Sequence, residues 1–195
     1  TDSSELARSL TLDGVGNIFL AGSTYSALGG AHAGAGDIFV VKMDTTDGVL
    51  DASFGDGDGT DNDGVVQVNI ASASSQDTPS VLVFNGGILH IAGYTEGPLG
   101  GASTSRDGYV LKMDATSGLL STVFGDGDGA DNDGILQVNT LNAGTDSVNY
   151  INAFTIDIHG NMYFGGSIHG TLSDDKTAGE YDAYTVVVPV GRDGL

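Results

Sequence analysis

The chain has 195 residues, 39% of them hydrophobic, which suits one domain or a compact repeat array with a buried core. Its 26 Asp and Glu against 6 Lys and Arg give a net charge of −20, a surface that repels nucleic-acid phosphates and anionic membranes and attracts divalent cations. With no Cys there is neither a disulfide framework nor a zinc-thiolate site, and no apolar run reaches the length of a membrane span.

Only Glu5, Glu96 and Glu180 among the acids are glutamates; the rest are Asp, which favours turns because its short side chain bonds nearby backbone. With 32 Gly and few helix-forming charged residues, the composition points to strands and turns. The first residue is Thr1 rather than Met, as expected of a processed product or a fragment, and no signal peptide is recognised.

In chain order, Leu6–Leu12, Ile18–Ser23 and Phe39–Met43 read as strands, rich in branched and aromatic residues and bounded by Gly, Asp and Asn. Val65–Asn69, Val81–Phe84, Ile88–Gly93 and Tyr109–Met113 follow as four more, with Asn85-Gly86-Gly87 a tight hairpin between the second and third. Asp13–Asn17 and Asp157–Asn161 fill the same hairpin slot. The last group is Ile135–Asn139, Ile151–Ile158, Met162–Ile168 and Tyr184–Val188. Long Gly/Ser/Ala-rich loops, Ser26–Gly36, Gly97–Arg106 and Gly170–Tyr181, precede the last strand of each group.

Repetition organises these elements. Phe54-Gly-Asp-Gly-Asp-Gly-Thr-Asp-Asn-Asp-Gly64 returns with one change 70 residues on (54 to 124), ending at Gly134. Val41-Lys-Met-Asp44 returns as Leu111-Lys-Met-Asp114, and Gly16–Gly22 matches Gly160–Gly166 in a more diverged third copy. The copies run approximately 1–50, 51–120 and 121–195 within a single repeat domain. Four antiparallel strands per copy is the arithmetic of a propeller blade, so the expected fold is all-β, a β-propeller-like array of about three four-stranded antiparallel blades. On this grouping the first copy lacks the strand that Val65–Asn69 and Ile135–Asn139 supply to the others, and each end leaves an open sheet edge or a missing partner.

Leu12-Asp-Gly-Val-Gly-Asn-Ile-Phe-Leu-Ala-Gly22, Asp37-Ile-Phe-Val-Val-Lys-Met-Asp44 and Leu50-Asp-Ala-Ser-Phe-Gly-Asp-Gly-Asp-Gly59 resemble the hairpin, last strand and acidic opening of bacterial β-propeller repeat families, the SBBP-type and delta-sixty-type blades. The resemblance covers most of the chain and implies a propeller fold in secreted or surface proteins. The sequence departs from the pattern in its longer, doubled acidic loop and in having too few blades to close a ring.

Chemistry concentrates in the acidic loops. Asp56, Asp58, Thr60, Asp61 and Asp63 lie in one Gly-rich turn, and Asp126, Asp128, Asp131 and Asp133 repeat it. Alternating Asp and Gly lets the backbone curl while carboxylates converge, and Ca2+ takes six to eight such hard oxygens. The loop is not an EF-hand, since Asp61 and Gln67 replace the Gly and bidentate Glu which that motif requires. The alternative is a solvated acidic turn. His32, His90, His159 and His169 show no metal-ligand spacing and read as structural or surface residues. Asp37, Asp107 and Asp182, each opening a last strand, read as structural, the alternative being a ring of acids facing a central channel. Tyr25 and Tyr94, at the start of long loops, are the candidates for stacking on a sugar.

No Gly-x-Ser-x-Gly elbow, Walker loop or convergent acid, base and nucleophile set is present, so the chain reads as no enzyme. The expectation is an extracellular or cell-surface structural or adhesive module, calcium-stabilised and self-associating through incomplete terminal blades into an oligomer or fibre. A carbohydrate- or peptide-binding propeller fragment is the alternative, with no nucleic-acid partner and no membrane insertion.

Overall fold

A computed structural model describes residues 4–28, 31–32, 35–55, 63–70, 75–97, 106–125, 133–138, 148–169 and 181–189. Eleven strands and no helix are found among them: β1 (Glu5–Leu12), β2 (Asn17–Thr24), β3 (Asp37–Asp44), β4 (Val65–Val68), β5 (Asp77–Asn85), β6 (Ile88–Thr95), β7 (Asp107–Asp114), β8 (Ile135–Val138), β9 (Val148–Ile156), β10 (Met162–His169) and β11 (Tyr181–Val188). They form three antiparallel meanders, β1-β2-β3-β4, β5-β6-β7-β8 and β9-β10-β11. Every strand expected from sequence is present, and the all-β class holds.

The grouping of the strands differs from the expected one. Val65–Asn69, expected to open the second unit, forms β4 over Val65–Val68 and closes the first, with Val41 paired to Val65 and Ile38 to Val68. Ile135–Val138 likewise closes the second sheet against β7. The reason is the base of each acidic loop. The Gly64 N–H donates to the Phe54 carbonyl at 2.9 Å and the Gly134 N–H to that of Phe124 at 2.8 Å, so the chain returns beside the strand it left. The first sheet therefore has its fourth strand. Among the described residues, the third sheet is the one with three.

Each sheet carries the same close approach. Gly22, Gly93 and Gly166 pair directly with Phe39, Tyr109 and Tyr184 of the next strand, beside a bulge in the strand before. A Cβ on Gly93 would lie 2.1 Å from the Thr78 carbonyl, and one on Gly22 would lie 2.3 Å from that of Leu6. Only glycine admits the kinked strand and the aromatic ring that covers it. At the β5–β6 turn, Gly86 and Gly87 have φ of 59° and 88°, as the two-residue hairpin read from sequence requires.

Two cores lie between the sheets. Phe19, Ala21, Ile38 and Val40 of the first sheet meet Leu82, Leu89, Ile91 and Leu111 of the second. Ala92, Val110 and Val138 on the second sheet's other face meet Ile151, Phe154, Met162 and Phe164 of the third. Successive side chains on a strand point to opposite faces, so the middle sheet is apolar on both. The first strand of each later sheet lies on the preceding sheet, β5 against β1 and β9 against β5. Phe54 and Phe124, both fully buried, anchor the acidic loops into these two cores.

Candidate functional site

At the hairpin and acidic-loop end of the sheets, the described carboxylates are turned onto their own backbone. Asp63 Oδ1 accepts the Val65 N–H at 2.9 Å and Asp133 Oδ1 accepts that of Ile135 at 2.9 Å. Both acids thus cap the first residue of β4 and β8. Asp56, Asp58, Thr60, Asp61, Asp126, Asp128 and Asp131 lie outside the described residues. Among the described residues no group of three His, Asp or Glu is placed to hold a metal ion.

An open recess beside the first loop is lined by Asn17, Asp44, Asp47 and Asp51. Asp44 accepts the Thr46 N–H at 2.6 Å and Asp47 accepts the Val49 N–H at 3.0 Å, so these oxygens face their own turns. Asp51 binds Lys42 Nζ at 2.7 Å. That bond, with the Ser53 hydroxyl and amide, holds the Asp51 carboxyl down to about 2. Lys42 is buried and lies 5.8 Å from the Phe19 ring centroid and 5.9 Å from that of Phe54. Its repeat partner Lys112 sits 4.1 Å from the Phe124 centroid. Each acidic loop thus rests on an aromatic ring with an ammonium against it, a pairing that sequence reasoning missed. The Lys-Met-Asp motif and the Phe that opens each loop were its signals.

The base of the first loop also ties two sheets together. Gly55 N–H donates to the Ser117 carbonyl at 3.1 Å, docking the first acidic loop on a turn of the second sheet.

The opposite end, below the long loops, is a buried polar network. Asp37 and Asp107 open β3 and β7, Asp182 is the second residue of β11, and all three are buried, as suits a structural part rather than an open acidic channel. Gln67 of β4 donates its amide to Asp37 Oδ2 at 2.7 Å, and Gln137 of β8 donates to Asp107 Oδ2 at 3.0 Å. These glutamines were missed as partners, although both stand inside apolar four-residue strands 70 positions apart (67 to 137). His32 Nδ1 lies 3.2 Å from Asp37 Oδ2. His90 is buried and stacks on Phe154 at 6.1 Å, and His159 sits in the β9–β10 turn. Of His169 only the backbone, ending β10, is described.

Asp77 was also missed. It is fully buried, accepts the Thr95 hydroxyl at 2.6 Å and the Ile70 N–H at 3.1 Å, and faces the charge of Asp37. Burial pushes its carboxyl up to about 6, outweighing both hydrogen bonds.

The two candidate sugar-stacking rings are engaged between sheets. Tyr25 Oη accepts from Gln76 Nε2 at 2.7 Å. Tyr94 packs edge-on against Tyr150, centroids 4.8 Å apart, and the Arg106 guanidinium lies 5.8 Å and 5.7 Å from these two rings. Arg106 pairs with Glu96 and bonds the Tyr150 hydroxyl, while the more exposed Tyr181 extends the cluster at 6.3 Å from Tyr150.

The class this architecture defines is an all-β array of three stacked antiparallel meanders with repeated acidic loops at one end. No family model and no curated protein matches the chain.

Proposed function

We propose that the chain is a structural or adhesive β-propeller-type module of the cell exterior, stiffened by Ca2+ in its two acidic loops, self-associating and not catalytic. One observation carries the reading. The two acidic loops share the same closed base, the first is bonded across to the next sheet, and both are anchored by a fully buried Phe in an inter-sheet core. An ion gathering the carboxylates of such a loop would rigidify the place where sheets meet. It would also relieve the repulsion of four acids within eight residues. The first strands of the three sheets lying together supports a propeller-like arrangement. The outer edge of β11, unpaired among the described residues, supports association by strand addition.

The test is Ca2+ titrated into metal-free protein, followed by calorimetry and thermal melting. Two equivalent sites are expected, each stabilising by about 2.7 kcal/mol at a hundred times its dissociation constant, or about 5.4 kcal/mol together. The heat and the melting shift should both vanish in the Asp56→Asn/Asp58→Asn/Asp126→Asn/Asp128→Asn variant. No heat and no shift with the unaltered chain would end the calcium reading.

A second reading, a carbohydrate- or peptide-binding module, is favoured by the Tyr94, Tyr150 and Tyr181 cluster with Arg106 beside it. Saturable binding on a glycan array, lost in Tyr181→Ala, would support it.

A further inference from the structure

The sheets pack by one rule, used twice. Call the face of the first sheet that holds Phe19, Ala21 and Val40 its donor face, and the opposite one, holding Leu10, Leu20 and Val41, its acceptor face. The donor face of the first sheet covers the acceptor face of the second, where Leu82, Ile91 and Leu111 lie. The donor face of the second sheet, with Ala92 and Val110, covers the acceptor face of the third, with Phe154, Phe164 and Val186. The matching is residue for residue. Leu10, Leu82 and Phe154 occupy one repeat position, at intervals of 72 residues (10, 82, 154). Leu20, Ile91 and Phe164 occupy another.

Among the described residues, one acceptor face and one donor face have no sheet packed on them. Toward the hairpin end the first sheet's acceptor face carries Leu10, Leu12, Ile18, Leu20, Val41 and Met43, uncharged, while Glu5 and the buried Asp37 lie on the same face at its other end. Nothing among the described residues packs on it as a sheet does. Leu10 is 64% exposed, whereas Leu82, its equivalent under a covering sheet, is 4% exposed. The third sheet's donor face carries Ala153, Thr155, Tyr163, Gly165, Thr185 and Val187, again uncharged. It is a polar-edged copy of the first sheet's donor face. Tyr163 stands for Phe19, Gly165 for Ala21 and Thr185 for Val40, so nearly the same shape is kept with hydroxyls added. Hydroxyls let such a face stay in water, and the uncovered apolar face opposite marks an interface.

We propose that these two faces meet between two copies of the chain. The third sheet of each copy covers the first sheet of the other, through two identical head-to-tail contacts. Head-to-tail contacts close into rings when the rotation allows, and two copies of three sheets make six, within the 4–8 blades of closed propellers. The same stacking geometry places Tyr163 of one copy against Leu12 of the other, as Phe19 stacks on Phe84 at 6.0 Å inside the chain. The −20 charge of each copy opposes association from the rims, so assembly strengthens with salt. The inference rests on the self-associating propeller reading above and fixes its stoichiometry and its contacting faces.

The experiment is light scattering coupled to size exclusion, on the full chain at 0.15 M and 1 M NaCl. It is run on the unaltered chain and on Leu10→Lys and Thr185→Lys. Both substituted side chains are exposed, so the melting of the isolated copy reports that the fold is kept. The expected mass is twice 19.7 kDa. Each variant should weaken association by about 30-fold or more, the scale of an interface hot spot. Mixing the two variants should give an open two-copy species held by the one contact that carries neither lysine, tighter than either variant alone and weaker than the unaltered ring, whose second contact would set the two lysines face to face. Loss with Leu10→Lys alone would mean that two acceptor faces meet, and would overturn the proposal. A growing ladder of masses would overturn the closed ring. Association untouched by either variant would place the contact at the edge of β11, refuting this inference while leaving the reading above. A single-copy mass throughout would end both the inference and the self-association.

Discussion

The two inter-sheet junctions share one backbone plan and differ in one buried atom type. In the first, the Asp77 N–H donates to the Gly36 carbonyl at 2.8 Å; in the second, the Asn149 N–H donates to the Arg106 carbonyl at 2.9 Å. Asp77 and Asn149 occupy the same repeat position and are both buried. Each lies at the junction where a buried Asp opens a neighbouring strand, Asp37 in one case and Asp107 in the other. The first junction therefore holds two carboxylates and the second a carboxylate and an amide. The fold needs a side chain that can satisfy buried polar groups there, and it does not need a charge. At the first junction the charge is an expense of burial, which the protein avoids below about pH 6 by keeping Asp77 protonated.

The largest expected effect comes from emptying each junction in turn. Phe54 fills the first core, edge-on to Phe19 at 6.0 Å, and Phe124 fills the second. Phe54→Ala and Phe124→Ala should each cost about 3–5 kcal/mol in urea unfolding, through lost burial and the cavity left behind. If the junctions are equivalent the two costs will be similar. If Phe54→Ala costs far more, the Lys42–Asp51 pair beside it is coupled to that ring in a way that Ser121, at the position of Asp51 in the second loop, does not reproduce.

Next in size is exchanging the buried atoms. A carboxyl whose folded value is raised from 3.8 to about 6 favours the folded state most where it is protonated. Its contribution is full below pH 4, falls as pH rises through 4 to 6, and stays low above. Asp77→Asn should therefore raise stability at pH 7.5 by on the order of 2 kcal/mol, change little at pH 4, and flatten the profile between. The amide can accept from Ile70 N–H through its oxygen and donate to the Thr95 hydroxyl, so no partner is lost. Asn149→Asp should do the reverse and give the second junction the pH dependence of the first. Urea midpoints at pH 4 and 7.5 measure both. A profile that Asp77→Asn leaves unchanged would mean that Asp77 titrates normally.

Which parts of this were legible in the sequence follows from how local each signal is. Strands such as Ile88–Thr95 and the Gly86-Gly87 turn are written in neighbouring residues, and all eleven strands were readable that way. The sheet that β4 joins is not a local matter. It is set when the Gly64 N–H reaches back to the Phe54 carbonyl across the acidic loop, and the 70-residue repeat is the same whichever sheet takes the strand. Asp77 was illegible because Gln76-Asp77-Thr78 looks like any polar loop end; its burial comes from the neighbouring sheet. The stacking order was partly visible. Tyr109–Met113 and Ile88–Ala92 are apolar on both faces apart from the cross-strand pair His90 and Lys112, as a middle sheet requires, whereas β11 alternates as an outer one does. Of the candidate site, the capping roles of Asp63 and Asp133 are shown, and the convergence of the other acids on an ion remains the proposal.

The smallest expected effect separates the aromatic rings that cover the strand glycines. Phe39, Tyr109 and Tyr184 stand at one repeat position, so the junctions can be compared with and without a hydroxyl. The Tyr184 hydroxyl donates to the Tyr150 carbonyl at 3.0 Å. The Tyr109 hydroxyl is fully buried, with no hydrogen-bond partner among the described residues. Burial drives its ionisation far above the ordinary value, so at any working pH it is a neutral group costing desolvation. Removing a bonded hydroxyl costs about 1 kcal/mol, while removing an unbonded buried one recovers part of its desolvation. Tyr184→Phe should therefore destabilise by about 1 kcal/mol, and Tyr109→Phe should be neutral or stabilise by up to about 1 kcal/mol. The two substitutions delete the same atom, so opposite signs in paired urea melts would locate the difference in the junction. Equal losses would mean that Tyr109 keeps a partner in solution, with the Thr78 carbonyl, the counterpart of Tyr150's, the acceptor to test.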